Sequence, residues 1–152
     1  MIIAEEHPLT PDLELLFQRH TADMHADTPP ESIHMMDKGA LTAPGIRFFV
    51  LRDEGEALAM GALKRIDGTH AEIKSMHVLT EARGRGLSKA MLDHLVSAAR
   101  ADGFLRLSLE TGVQPTFIAA RALYARAGFV ECTPFEGYSE DPNSIFMTKV
   151  LA

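Results

Sequence analysis

A short basic turn is the part of this sequence whose residue types most clearly point to chemistry. Residues 83–86 read Arg-Gly-Arg-Gly and lead into an apolar-periodic stretch that predicts a helix over 85–102. A helix N-terminus presents unpaired backbone N–H groups and the positive end of the helix dipole, and glycine lets the backbone approach a ligand closely. The turn therefore suggests a cradle for a pyrophosphate, although a plain tight turn with solvated arginines would have the same sequence.

Two better-known phosphate-binding motifs do not fit this turn. No Gly-Lys-Ser or Gly-Lys-Thr follows it, so it is not a P-loop. The strands predicted before it run antiparallel, whereas a dinucleotide fingerprint belongs to a parallel βαβ unit. An anion site of another kind is the remaining chemical interpretation.

Hydrophobic periodicity indicates the elements that position the turn. Thr10 is a candidate N-cap and Pro11 suits the first position of the first helix. A helix separates the strands at 70–79 and 104–110, which implies a parallel, right-handed crossover in an α/β fold. The predicted elements are strand 1–5, helix 7–26, helix 31–38, an antiparallel meander over 46–79 with turns at 53–55 and 67–69, helix 85–102, strand 104–110, helix 115–128, and strands 128–133 and 144–151.

Length and composition predict a single domain over residues 1–152. Fifteen Lys+Arg against 21 Asp+Glu give a net charge of −6, which argues against nucleic-acid binding and favours neutral or cationic small substrates. The one cysteine, Cys132, excludes an internal disulfide and fits a reducing, cytoplasmic compartment. We find no signal peptide and no run near the ~18 apolar residues of a membrane span, so we expect no membrane partner.

Three motifs together resemble the GNAT superfamily of acetyl-CoA-dependent N-acetyltransferases. The segment Arg83-Gly84-Arg85-Gly86-Leu87-Ser88 is similar to the family's Gln/Arg-x-x-Gly-x-Gly/Ala motif, with Ser in the last place. The strand end at 76–78 and the Leu-Tyr-x-x-x-Gly-Phe pattern at 123–129 also match. TPPES, EIKSM, LSLETG and DPNS are similar to a group of small bacterial acetyltransferases. The resemblance implies a mixed, mostly antiparallel sheet of about 6–7 strands flanked by about 4 helices.

This resemblance implies a binding site for acetyl-CoA as co-substrate. The backbone N–H groups of residues 84–88 would hold the pyrophosphate, with Arg83 and Arg85 close by. The backbone of Met76 and Val78 would pair with the pantetheine arm as an added strand does. The predicted coenzyme-contacting residues are Met76, His77, Val78, Arg83, Gly84, Arg85, Gly86, Leu87, Ser88 and Phe117. Phe117 replaces an Asn of many relatives, so its contact would be apolar, with Thr116 as a candidate polar substitute.

The resemblance also implies direct transfer of acetyl to a primary amine, through groups that move protons. An alkylamine must lose a proton before it attacks. Glu72 and Glu110 each match a position where a branch of the superfamily carries its base, and a water-mediated route with no single base is the third alternative. Tyr124 matches the general acid that protonates the departing thiolate. A competing hypothesis is a non-catalytic acyl-CoA sensor or docking module with the same fold.

The acceptor is expected to be a small molecule or a peptide. Segments 25–37 and 132–144 would form its wall, and Phe135, Tyr138, Glu140 and Asp141 lie in the second. His20, His25 and His34 with Asp27 and Asp37 match no usual zinc spacing, so we predict no metal. Members of the superfamily often dimerise, which makes a homodimer an expectation.

Overall fold

A seven-stranded mixed sheet forms the centre of the protein. The computed structural model describes residues 1–151. Its strands are β1 Ile2–Glu5, β2 Ile46–Asp53, β3 Glu56–Arg65, β4 His70–Val78, β5 Arg106–Gly112, β6 Val130–Cys132 and β7 Ser144–Val150. Their order in the sheet is β1-β2-β3-β4-β5-β7-β6. Its helices over residues 1–151 are α1 Glu14–Asp27, α2 Leu87–Ala101 and α3 Ile118–Arg126. The predicted α/β fold and mixed sheet are confirmed.

The meander over β2, β3 and β4 follows the predicted turn chemistry. Glu54 and Gly55 link β2 to β3 with φ values of 50° and 84°, which are the left-handed conformations of a tight hairpin turn. β2, β3 and β4 pair antiparallel, while β4 and β5 pair in parallel as predicted. The ladder between β4 and β5 includes only residues 70–72 and 106–108. Beyond Glu72 and Ser108 the two strands separate, which leaves a gap in the middle of the sheet.

The apolar face of α2 fixes the turn that precedes this helix against the sheet. Leu87, Met91 and Leu95 are fully buried. A Cβ at Gly61 on β3 would lie only 3.0 Å from Leu95 Cδ1, so glycine is what lets the helix approach the strand this closely. Because buried side chains anchor α2 along its length, its N-terminus is fixed beside the gap between β4 and β5.

The predicted helix over 31–38 is wrong. Residues Pro30–Ser32 form a single 3-10 turn, and the chain is then extended before a second 3-10 turn at Ala40–Thr42. Pro29 and Pro30 hold the entry extended, and the backbone C=O of His34 accepts a hydrogen bond from Lys74 instead of a helical N–H. The chain therefore has three α-helices within residues 1–151 and not about four.

The first helix begins later than predicted. Residues Pro11–Leu13 form a 3-10 turn, and α1 starts at Glu14. The Thr10 hydroxyl donates to the His7 C=O and does not cap the helix. None of the helices within residues 1–151 combines the length and the apolar character that crossing a membrane requires.

Candidate active site

A cavity of about 860 Å³ occupies the gap between β4 and β5. Its walls come from α1 and residues 28–35, from β4 and the turn before α2, and from β5 and α3. The predicted site residues that line it are Glu72, Met76, His77, Val78, Arg83, Gly84, Gly86, Leu87, Ser88, Glu110, Phe117 and Tyr124. The fold thus gathers side chains from both sequence motifs and distant loops around one space.

The glycine turn at one end of this cavity has the geometry of an anion cradle. Gly84 and Gly86 have φ values of 84° and 77°, and a Cβ on either would meet open space. The backbone N–H groups of residues 84–89 have no hydrogen-bond partner among residues 1–151. Unpaired N–H groups at the start of α2 suit the phosphate oxygens of a coenzyme, so the residues present fit that group.

The two arginines of the turn have different surroundings. Arg83 lines the cavity and its guanidinium lies 3.0 Å from Asp23 Oδ2 on α1. Arg85 points to the hairpin between β2 and β3, where it lies 2.6 Å from Asp53 Oδ2. The structure brings Arg83 to the predicted site and does not bring Arg85 there.

The edge of β4 that faces the cavity has no strand beside it from residue 73 onward. Ser75, with φ of 56°, marks a bulge in the pairing with β3. Leu79, which directly follows β4, donates its N–H to the C=O of Leu58 on β3, at 3.0 Å. Because successive N–H groups of a strand point in opposite directions, those of Val78 and Met76 point into the gap. These backbone groups are positioned to pair with an extended ligand.

Two buried histidines lie beside this edge. His77 is 7% exposed and its ring centroid is 5.3 Å from that of His20, which is 8% exposed. Burial lowers the pKa of each imidazole to about 4. Both rings are therefore neutral at pH 7, and His77 Nε2 is buried without a hydrogen-bond partner among residues 1–151.

Phe117 lies where the cavity passes α3. A Cβ at Gly112 would come within 2.4 Å of the Phe117 ring, so the ring packs directly on the β5 backbone. Thr116 also lines the cavity, but its hydroxyl is hydrogen-bonded to Asp27. The Phe117 ring makes the cavity wall apolar at this point.

Tyr124 places a protonated phenol in the cavity wall. The residue is 8% exposed and its ring packs edge-on against Phe129, with centroids 6.0 Å apart. Burial raises the pKa of the Tyr124 phenol to about 12. At neutral pH the hydroxyl therefore keeps its proton and can serve as a hydrogen-bond and proton donor to a group on which negative charge develops.

Glu72 is sealed by its neighbours. The carboxylate is 1% exposed, its Oε2 accepts a 2.6 Å hydrogen bond from the Tyr138 hydroxyl, and Lys74 Nζ lies 3.5 Å from the same atom. Its Oε1 is buried and has no partner among residues 1–151. Burial, followed by the charge of Glu72, raises the pKa of Tyr138, which therefore stays a hydrogen-bond donor. This carboxylate borders the cavity but is almost fully enclosed by its neighbours.

Glu110 is more accessible. Its side chain is 13% exposed, and its Oε2 is 2.6 Å from His34 Nδ1 and accepts a 2.9 Å hydrogen bond from Ser144 Oγ. Its other carboxylate oxygen, Oε1, is accessible and has no hydrogen-bond partner among residues 1–151. Of the two glutamates predicted as bases, only Glu110 presents an oxygen toward the open space.

The predicted acceptor segments reach the cavity in part. Residues 28–35 and 143–144 contribute to its wall, whereas His25, Asp37 and Glu140 do not. Phe135 and Tyr138 belong to an aromatic cluster with Phe146 and do not line the cavity. The sequence did not indicate Lys74 or Ser144, although Lys74 follows Glu72 by two residues and so shares its strand face.

Comparison with known proteins identifies the family. The sequence profile described as "Acetyltransferase (GNAT) family" matches residues 12–129. The chain belongs to the GNAT family. It is 43% identical over 136 residues to the uncharacterized N-acetyltransferase YsnE of Bacillus subtilis, covering 90% of each chain. It is 39% identical, over an alignment of 154 positions, to an IAA acetyltransferase of Azospirillum brasilense, and the alignment covers 98% of this chain and 97% of the other.

Solved structures of the GNAT family have the same fold. A protein of Klebsiella pneumoniae, proposed to be an acyl-CoA N-acyltransferase, superposes with a TM-score of 0.80 at 27% identity, covering 99% of this chain and 97% of the other. The members of this family take the acetyl group from acetyl-CoA. The chain is therefore a GNAT acetyltransferase.

Proposed function

We propose that this enzyme moves an acetyl group directly from acetyl-CoA to a primary amine of a small molecule or peptide in the cytoplasm. The observation that carries the proposal is that one cavity joins a phosphate cradle, an unpaired strand edge, a protonated phenol and a carboxylate. The Azospirillum brasilense relative is named an IAA acetyltransferase.

The coenzyme end supplies binding and polarisation. The N–H groups of residues 84–88 hold the pyrophosphate, with Arg83 beside them. The N–H and C=O groups of Met76 and Val78 pair with the amides of the pantetheine arm. The Val78 N–H donates to the thioester carbonyl oxygen, where negative charge develops, and one such donor contributes roughly 3–4 kcal/mol to a transition state.

The proton path runs past Glu110, because Glu72 is enclosed by Tyr138 and Lys74. Glu110 lines the same cavity as Val78 and Tyr124. The amine loses its proton on the Glu110 side, its nitrogen bonds to the acetyl carbon, and the C–S bond breaks. The Tyr124 hydroxyl, which its raised pKa keeps protonated at neutral pH, donates its proton to the sulfur as the C–S bond breaks.

The test is a thiol-release assay of the wild-type enzyme with acetyl-CoA and a panel of amino acids, polyamines, aminated metabolites and peptides. We expect turnover with at least one class. Tyr124→Phe should lower kcat by about 100-fold, because general acid catalysis typically contributes that much, while calorimetry shows unchanged acetyl-CoA affinity.

A sensor or docking module of the same fold makes the opposite prediction. It would bind acetyl-CoA tightly and release no thiol with any amine of the panel. Wild-type kcat in Tyr124→Phe, by contrast, would remove Tyr124 from the mechanism and leave the transfer reaction in place.

A further inference from the structure

His34 bridges the fork at which β4 and β5 separate. The last parallel pair is Glu72 with Ser108, and Lys74 and Glu110 each lie two residues beyond it on the two strands. Lys74 Nζ donates to the His34 backbone C=O at 2.9 Å, and the His34 ring lies 2.6 Å from Glu110 Oε2. The residue is thus held by its backbone from one strand and by its side chain from the other.

The hydrogen bond to Glu110 fixes which ring nitrogen carries the proton. An ionised carboxylate can only accept a hydrogen bond, so Nδ1 of His34 is the donor. In a neutral imidazole the other nitrogen, Nε2, is then a proton acceptor. Nε2 has no partner among residues 1–151, and the side chain is 34% exposed while it lines the cavity.

We propose that His34 is the group that takes the proton from the acceptor amine, and that Glu110 is the positioning residue that orients it. This inference rests on the proposed acetyl transfer. A base held in one tautomer by a carboxylate is a recurrent arrangement for proton transfer. Both His34 and Glu110 line the same cavity as Val78 and Tyr124.

Residues that line the cavity carry both protons that the acceptor nitrogen must lose. The acceptor arrives as an ammonium, and His34 Nε2 takes one proton, which the exposed imidazolium returns to solvent. The neutral nitrogen forms its bond to the acetyl carbon and the C–S bond breaks, with the Tyr124 proton going to sulfur. The second proton lost by nitrogen restores the Tyr124 hydroxyl. One proton is released for each acetyl group transferred.

His34→Asn separates this role from a structural one. The Asn amide can donate to Glu110 from a position near Nδ1, but it has no counterpart of Nε2. The matched control is His25→Asn, because His25 is exposed near the end of α1 and does not line the cavity. Both variants are assayed for kcat, KM and acetyl-CoA affinity, and kcat/KM is followed from acidic to neutral pH.

We expect His34→Asn to lower kcat by about 100-fold or more, with acetyl-CoA affinity unchanged and His25→Asn at the wild-type rate. Protonated imidazole cannot accept a proton, so wild-type kcat/KM should fall on the acidic side, and this limb should vanish in His34→Asn. The ionisable or charged groups facing His34 are Glu110, Lys74, Glu72, Tyr138, Asp141 and Glu31. Variant His34→Gln answers the same question if His34→Asn does not fold.

Three results would overturn the inference. Wild-type kcat and an unchanged acidic limb in the His34 variants would make Glu110 or water the base, and the transfer function would stand. A rate lowered equally at every pH would make His34 a structural clamp only. No thiol release by the wild-type enzyme with any amine would remove the proposed function itself.

Discussion

The two ends of the cavity are built from different parts of the chain. The coenzyme end uses backbone groups of contiguous segments, the turn at 83–89 and the edge of β4. The acceptor end uses side chains that meet from far apart in sequence, such as His34 with Glu110 and Tyr138 with Glu72. A site made of backbone groups tolerates side-chain substitutions, whereas a site made of side-chain pairs depends on the identity of every member. This difference explains how one fold can keep its donor and change its acceptor.

The strongest test of this contrast compares the two glutamates at the acceptor end. Glu110→Gln should lower kcat by about 100-fold, because it disturbs the proton path. Glu72→Gln should affect kcat far less and instead lower the free energy of unfolding by on the order of 3 kcal/mol, since it leaves Lys74 buried without its counter-charge. Steady-state kinetics and urea denaturation of both variants measure the two effects. A larger kcat loss in Glu72→Gln would reverse their roles.

Two glycines with the same left-handed backbone conformation, one in the proposed cradle and one in the β2–β3 turn, form a matched pair. Gly86 and Gly55 both have positive φ, and a Cβ on either meets open space. Alanine at each should cost about 1 kcal/mol of stability. Only Gly86→Ala puts a methyl group into the cradle, so we expect acetyl-CoA to bind about tenfold more weakly, a loss of about 1.4 kcal/mol. Equal affinities in calorimetry would contradict a backbone cradle at Gly86.

The smallest expected effect distinguishes the two arginines. Arg83→Ala should weaken acetyl-CoA binding by about fivefold, roughly 1 kcal/mol, because Arg83 is half-exposed and already paired with Asp23. Arg85→Ala should leave the affinity unchanged, since Arg85 pairs with Asp53 outside the cavity. Titrations at low and high salt measure both, and the Arg83 effect should shrink with salt. A loss confined to Arg85→Ala would place the phosphates on the other side of the turn.

The same contrast determines what the sequence could predict. The anion cradle at Gly84 and Gly86 could be predicted from sequence, because glycines between a strand and a helix define a local backbone geometry. The hydrogen bond from Tyr138 to Glu72 joins residues that are 66 positions apart in the sequence, so no local sequence pattern predicts it. The helix predicted over residues 31–38 is wrong, because Pro29, Pro30 and the hydrogen bond from Lys74 to the His34 C=O favour an extended path.

The fork between β4 and β5 has one more consequence. The β4–β5 pairing is missing from residue 73 to the end of β4, although strands continue on both sides of the opening. In the function proposed above, a donor with amides along its length would pair with this open edge, and the acyl group that it carries would lie beyond the edge. Discrimination among acyl groups would then depend on the side chains around Tyr124 and Glu110, because the strand edge would contact only the arm of the donor.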